Sequence, residues 1–460
     1  MSTVQPLVVV DAVGLSGRWL GDNTPSLNAL ARRGFQAQLE TVLPAVTCSV
    51  QSTLLTGTPP AVHGIVGNGW YFRDLSQVWL WRQSSRLVAG SKVWHQARER
   101  DPSFTCAQLF WWYNMYAEVD WAVTPRPAYF ADGRKAGDVY CQPPELRDEL
   151  YRDLGPFPFF QFWGPGSGLP ASEWIVESAR WVLRAHRPSL TLVYLPHLDY
   201  DLQRFGPNGP GIAREVRAVD RLIGALADDA AALGAETLVV SEYGIAAVSG
   251  SVSLNRRLRE AGFLRVHSAL NGELLDPGAS RAFAVCDHQV AHVYVRDAPD
   301  IEPVRKLLES VEGVDLVLDR EAQEAYGLDH PRSGELVAVS EEDRWFDYYY
   351  WLDEACAPDF ARTVDIHQKP GYDPVELFLD PDRPFMKARV FTKLLARKLG
   401  FRSLLDVVPL KPELVRGSHG RLPSNAGDAP VLVSSSPIGE RASFAMTDVA
   451  DLILANLFRA

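Results

Sequence analysis

Leu7-Val8-Val9-Val10-Asp11, then Pro44-Ala45-Val46-Thr47, then His63-Gly64-Ile65-Val66-Gly67-Asn68 are the stretches that decide how this chain is read. A short apolar, β-branched run closed by a carboxylate reads as a buried strand of an α/β sheet. Such a strand delivers its last side chain to the carboxyl edge of the sheet, where ligands of open α/β folds bind. Thr47 follows as a hydroxyl ahead of the helical run Ser49 to Leu55, and Asn68 stands on a Gly-rich turn. A Thr at that point also reads as a helix cap. The two readings are compatible, because a helix N-terminus favours a bound phosphate.

Outward from these stretches, the chain alternates helix and strand. Pro25 to Gly34 reads as an amphipathic helix closed by glycine, Ala171 to Arg187 as a second, and Gly211 to Leu233 as a third. Leu190 to Leu195 and Thr237 to Val240 read as strands, each with polar residues at its end. That recurrence predicts a doubly wound, mostly parallel sheet flanked by helices. Residues 71–165, rich in Trp, Tyr, Pro and Arg, read as a mixture of core elements and pocket-walling loops, with Trp70, Tyr71, Trp111, Trp112 and Tyr113 available for stacking or packing. A strand-helix-strand pattern from Ala291 to Ala338 predicts a small α+β cap, and Met446 to Phe458 a closing helix. The expected domains are a core over 1–250, a cap or insert over 251–350, and a second part of the core over 351–460.

A length of 460 residues exceeds one core of usual size, which is consistent with an insert. The net charge of −11 argues against nucleic acid polymers as partners but leaves room for a small phosphorylated substrate held through a metal ion. Neither a signal peptide nor a membrane-spanning run is read at the N-terminus, and the five scattered cysteines lack CxxC spacing. The expectation is a cytoplasmic protein with reduced thiols and no membrane partner.

An acid at a strand end, a hydroxyl on a loop and an Asn on a tight turn resemble the alkaline phosphatase superfamily, within it the type I phosphodiesterase/nucleotide pyrophosphatase branch. The resemblance implies an alkaline-phosphatase-like α/β sandwich in which Asp11 holds a metal, Thr47 attacks phosphorus while bound to metal, and Asn68 supports the phosphoryl charge. Three later clusters extend it. In Asp199-Tyr200-Asp201-Leu202-Gln203-Arg204-Phe205-Gly206-Pro207, Asp199, Gly206 and Pro207 match, while Gln203 stands where the family has a metal-binding His. Asp201 and His197 are close enough to substitute, in what reads as a loop after a strand. Ser241-Glu242-Tyr243-Gly244 occupies the place of the family's Ser-Asp-His-Gly, with Glu242 as the metal ligand and Tyr243 in place of His. Gly417-Ser418-His419-Gly420 resembles the family's late Gly-x-His-Gly, which assigns His419 to metal.

Further histidines are candidates to replace the missing imidazoles: His367 in the polar run Asp365 to Asp373, and Asp287 or His288 just before a strand. The metal set expected is therefore Asp11, Thr47, Asp199, Asp201, Glu242, His367 and His419, holding two zinc ions, with Mn²⁺ or Mg²⁺ favoured by the acids. The resemblance implies metal-dependent hydrolysis of a phosphodiester or pyrophosphate in a small phosphorylated substrate, a nucleotide-like molecule being one candidate. Hydrolysis of another phosphate or phosphonate ester is the alternative, and a non-catalytic binding protein that has lost ligands is a third reading.

Overall fold

The computed structural model describes residues 4–131, 134–401, 403–437 and 441–459, so the first three residues of the N-terminal stretch lie outside it. The strand expected at the N-terminus is present as β1 (Leu7–Ala12), buried along its whole length. It lies at the middle of a nine-stranded sheet. The other strands, in chain order, are β2 (Phe35–Glu40), β3 (Cys106–Leu109), β4 (Trp121–Pro125), β5 (Val139–Gln142), β6 (Leu190–Leu195) and β7 (Glu236–Val240), with two more near the C-terminus, Val431–Ser434 and Ser443–Ala445. β1 pairs in parallel with β6 on one side and β7 on the other, and β6-β3-β4 continue in parallel. Antiparallel pairs enter at β5 and at Val431–Ser434. The sheet is thus mostly parallel, covered on its faces by helices, which is why its central strands read as unbroken apolar runs.

Helices α1 (Pro25–Arg33), α2 (Thr47–Thr56), α3 (Leu169–His186), α4 (His197–Phe205) and α5 (Ile212–Ala232) carry the crossovers. The loop expected after Leu195 is in fact helix α4. Leu198 and Leu202 bury its apolar side, and Gly206 at φ 73° closes it. The helical period sets Asp199 and Gln203 one turn apart on the same face. Asp201 turns away to an ion pair with Arg204 at 2.9 Å.

A second sheet, antiparallel, is built from β8 (Ala282–Asp287), β9 (Val290–Val295), β10 (Val314–Leu318) and β11 (Leu336–Ser340), in the order β8-β9-β11-β10. Its apolar core runs on into Ile65, Val66, Trp70 and Trp112 of the N-terminal region. This second sheet therefore shares a continuous apolar core with the N-terminal region. The β8–β9 hairpin tip, His288-Gln289, reaches back to the sheet edge where β1, β6 and β7 end. Gln289 N–H donates to the His419 carbonyl there at 2.9 Å. Glycine at 417 makes the approach possible on the core side, since a Cβ there would lie 2.1 Å from the Leu202 carbonyl oxygen of α4. Among the described residues, no helix is long and apolar enough to cross a membrane. The five cysteines are free, four of them buried.

Candidate active site

Three strand ends and one helix start meet at the carboxyl edge of the sheet. β1 brings Asp11, β7 leads to Glu242 and Tyr243, β6 leads into α4 with Asp199 and Gln203, and α2 begins at Thr47. Every one of these side chains is buried. Gln51, one turn along α2 from Thr47, donates its amide N–H groups to Asp11 Oδ2 at 3.1 Å and Glu242 Oε1 at 2.8 Å. Its own Oε1 accepts from Trp112 N–H at 2.7 Å, which fixes the amide. Asp11 Oδ1 and Glu242 Oε2 have no partner.

On the other side of Thr47, Tyr243 Oη lies 3.1 Å from Thr47 Oγ1 and 3.4 Å from Asp199 Oδ1. Gln203 donates to Asp199 Oδ2 at 2.7 Å and accepts from Tyr372 O–H at 3.1 Å. His419 Nε2 is 3.7 Å from Asp199 Oδ1, and its Nδ1 is 2.8 Å from the Ala45 carbonyl. The rings of Tyr243, His419, His288 and Tyr372 form one column, with successive centroids 3.6, 3.7 and 3.7 Å apart. Asn68 is held by the cap. Its N–H and Nδ2 donate to Asp287 at 2.8 and 3.0 Å, while its Oδ1 accepts from Cys48 N–H at 3.0 Å.

Burial dominates the electrostatics. It drives the Asp11 carboxyl well above the usual range, with the facing Glu242 adding to the effect, and it raises Glu242 itself. Burial, then Glu242, pushes Asp199 up to about 7. Burial also holds the His288 and His419 imidazoles neutral, well below the ordinary histidine value. Three buried carboxylates with only histidine close by are costly to ionise, by several kcal/mol per uncompensated charge.

A cleft of about 2130 Å³ opens onto this floor, lined at its base by Thr47, Asp199, Tyr243 and His288. Trp81, Trp112, Trp163, Tyr200 and Tyr372 wall it, and Arg82, Arg126 and Lys135 stand further out.

The structure thus brings together Asp11, Thr47, Asn68, Asp199, Glu242 and His419. Asp201 is not among them, being turned to Arg204. His367 is not either: it is an exposed residue lining the cleft, and Asp365, two residues earlier, accepts from its backbone N–H at 3.3 Å. His197 pairs with Glu215 at 2.9 Å. Asp287 and His288 belong to the site. Sequence reasoning missed Gln51 and Tyr372. Gln51 had a signal, a polar side chain four residues after Thr47 on the same helical face.

The same architecture recurs in known structures. Phosphonoacetate hydrolase from Sinorhizobium meliloti 1021, solved with phosphonoformate, superposes with a TM-score of 0.62 over 100% of this chain and 97% of that one, at 17% identity. Murine ectonucleotide pyrophosphatase/phosphodiesterase 5, an inactive variant with AMP, gives 0.60 over 98% and 95%, at 15% identity. The human counterpart gives 0.57 over 99% and 95%, at 13%. No curated protein matches the chain by sequence. These likenesses define an alkaline-phosphatase-like fold. The sequence profile of the type I phosphodiesterase/nucleotide pyrophosphatase family matches residues 7–373, and the chain belongs to that family.

Divalent cations are the group this superfamily implies. Among the described residues, no three His, Cys, Asp or Glu side chains are drawn together as a ready cation site. The donor atoms nevertheless fit in kind. Asp11 Oδ1 and Glu242 Oε2 are buried, unpartnered oxygens beside Thr47, the ligand type that hard ions such as Mg²⁺ or Mn²⁺ take alongside substrate phosphate. His419 Nε2 is a buried, unpartnered imidazole nitrogen beside Asp199. Gln203 and Tyr243 present an amide N–H and a phenol, neither a customary zinc ligand.

Proposed function

We propose that the chain hydrolyses a phosphodiester or pyrophosphate bond in a small anionic substrate, with Thr47 as nucleophile and divalent cations held by Asp11 and Glu242 on one side and Asp199 and His419 on the other. The observation that carries the reading is the position of Thr47: a hydroxyl at the N-terminus of α2, on the floor of an aromatic cleft, between two sets of buried carboxylates. Bound cations would acidify the hydroxyl and neutralise the non-bridging oxygens. Tyr243, 3.1 Å from Thr47 Oγ1, fixes the direction of that hydroxyl. The helix N-terminus favours the phosphate, and Asn68, whose Oδ1 accepts from Cys48 N–H and whose Nδ2 donates to Asp287, would offer its second amide N–H to an equatorial oxygen. Attack forms the Oγ1–P bond as the bond to the leaving oxygen breaks, giving a phosphothreonine and a leaving group that takes up a proton. Water then cleaves the phosphothreonine. The Trp and Tyr walls keep bulk water away from the floor and suit a flat or apolar leaving group.

Hydrolysis of bis-p-nitrophenyl phosphate with added Mn²⁺ or Zn²⁺ tests this, the expected result being turnover abolished by Thr47→Ala. A phosphonate ester is to be assayed alongside, given the likeness to phosphonoacetate hydrolase. A second reading, a binding protein without turnover, is favoured by Gln203 and Tyr243 at ligand positions. Tight substrate binding with no turnover under any ion would select it.

A further inference from the structure

We propose that helix α6 (Met386–Lys398) and the turn after it form a docking surface for an anionic lipid bilayer, beside the cleft. Docking of this kind is independent of whether Thr47 turns over a substrate.

The helix is apolar on two opposite sides. Its inner side is anchored: Met386 is buried, and Val390 packs with it against Val407, Val408 and Val415. Phe391, Leu395 and Leu399, four residues apart, fall on one stripe of the other side and are 66%, 45% and 68% exposed. Phe401, past the end of the helix, is 67% exposed. Single apolar residues are normal on a protein surface, whereas a row of large ones on one helix face marks an interaction site.

Charge selects what covers it. Between Asp382 and Asp406 the only ionisable residues in the sequence are Lys and Arg, from Arg383 to Arg402, in a chain whose net charge is −11. Asp406 pairs with Arg383 and Arg389 at 2.9 and 3.5 Å and with Lys393. Lys398 is exposed and neighbours Leu394 and Leu395 on the helix surface, where its long stem lets the ammonium reach past them. Phe and Leu on one side of a helix, with Lys and Arg around them, suit a helix lying in the plane of a membrane surface. Its apolar side chains enter the acyl boundary and its cations meet anionic headgroups.

A second copy fits less well, since a symmetric contact through α6 sets two basic segments face to face. A protein groove also fits less well, because it wraps a helix. Here α6 is held along its inner side by Met386, by Val390 and by the Lys393 ammonium, which donates to the Leu404 carbonyl at 2.5 Å. A bilayer asks for one open face only. Such a helix lies in the surface and does not cross it, so no spanning run is needed, and the expectation of no membrane partner gives way here. Residues that line the cleft and are also exposed mark its opening: Leu394, Lys398 and Phe401 from this segment, Tyr129 and Phe160 from another. Docking through α6 therefore brings that opening to the headgroups.

Flotation of the full chain with vesicles of equal parts phosphatidylglycerol and phosphatidylcholine, against phosphatidylcholine alone, tests this. Binding to the anionic vesicles is expected to be at least about tenfold tighter and to weaken with salt. The triple variant Phe391→Gln, Leu395→Gln, Leu399→Gln should lose about tenfold or more, and Lys398→Glu about fivefold or more. The three apolar side chains are exposed and do not line the cleft, so thermal unfolding should be unchanged. If the triple variant unfolds early, Lys398→Glu carries the test. A parent that does not float with anionic vesicles would overturn the proposal, as would variants that bind like the parent or equal binding to both vesicle types. So would a parent dimer that the triple variant dissolves while neither floats, since a second copy then covers the stripe.

Discussion

Asp199→Asn probes the electrostatics of the site, where burial and the facing Glu242 both oppose ionisation of this carboxyl. In the folded, cation-free chain the carboxyl titrates at about 7, against a reference value of 3.8. The folded-state value is raised, so the contribution to stability is fully present below about pH 4 and is lost as the pH rises through 7. The full loss is about 4 kcal/mol at 1.36 kcal/mol per pK unit, and roughly 2.5 kcal/mol of it falls between about pH 5 and pH 8. Asn keeps the size and can still accept from Gln203, but does not ionise. The buried histidines titrate in the opposite sense: His63 and His292 are lowered to about 3 and about 4, so their contribution is lost as the pH falls below about 6.5. The wild-type profile alone is therefore mixed, and the difference between wild type and variant isolates Asp199. Thermal and urea midpoints across that range, in chelator, are expected to show wild type losing stability relative to the variant as the pH rises. Saturating zinc should remove the difference by holding Asp199 ionised. Parallel profiles in chelator would refute the account of the buried carboxylates.

Other perturbations separate the roles of the neighbours. Thr47→Ala is expected to lower kcat by about 10³-fold or more while leaving substrate binding within a few fold, measured by steady-state kinetics and by calorimetry. Gln51→Leu removes the donor shared by Asp11 and Glu242 and should cost roughly 2–4 kcal/mol in chelator, recovered in part by Mg²⁺ or Mn²⁺. Gly417→Ala sets a methyl against the Leu202 carbonyl and should destabilise by about 1–3 kcal/mol while weakening Co²⁺ binding through displaced His419.

Legibility in the sequence followed the range of the physical signal. β1, β6 and β7 are buried on both faces, so they appear as short apolar runs, and the polar residues that end them mark the site directly. The stretch after Leu195 misled because Asp199, Asp201 and Gly206 have turn chemistry. The apolar positions 198 and 202, which bury against the core, override it and make a helix. That error decided Asp201: on a helix, two residues make about 200°, so Asp199 and Asp201 cannot share a face. His367 failed differently. A polar run with Gly and Pro correctly suggests irregular chain, but nothing local tells whether such a run faces the floor of a cleft or its rim.

His288 marks where local reading stops. Its sequence context, an acid and two histidines before a strand, is unremarkable, and its value arises only when a hairpin formed by neighbours in sequence folds against a loop more than a hundred residues later. The hairpin register sets Asp287 opposite Val290, leaving His288 and Gln289 as the turn. That turn then meets the His419 loop through the backbone hydrogen bond from Gln289 N–H to the His419 carbonyl. Two imidazoles, His288 and His419, thus meet at the sheet edge with Nδ1 anchored and Nε2 without a hydrogen-bond partner. Both nitrogens left open here are buried and oriented by fixed partners. A buried acceptor without a partner costs about 1–3 kcal/mol, and the two Nδ1 anchors together with the stacked faces of Tyr243 and Tyr372 are what hold the imidazoles in place against that cost.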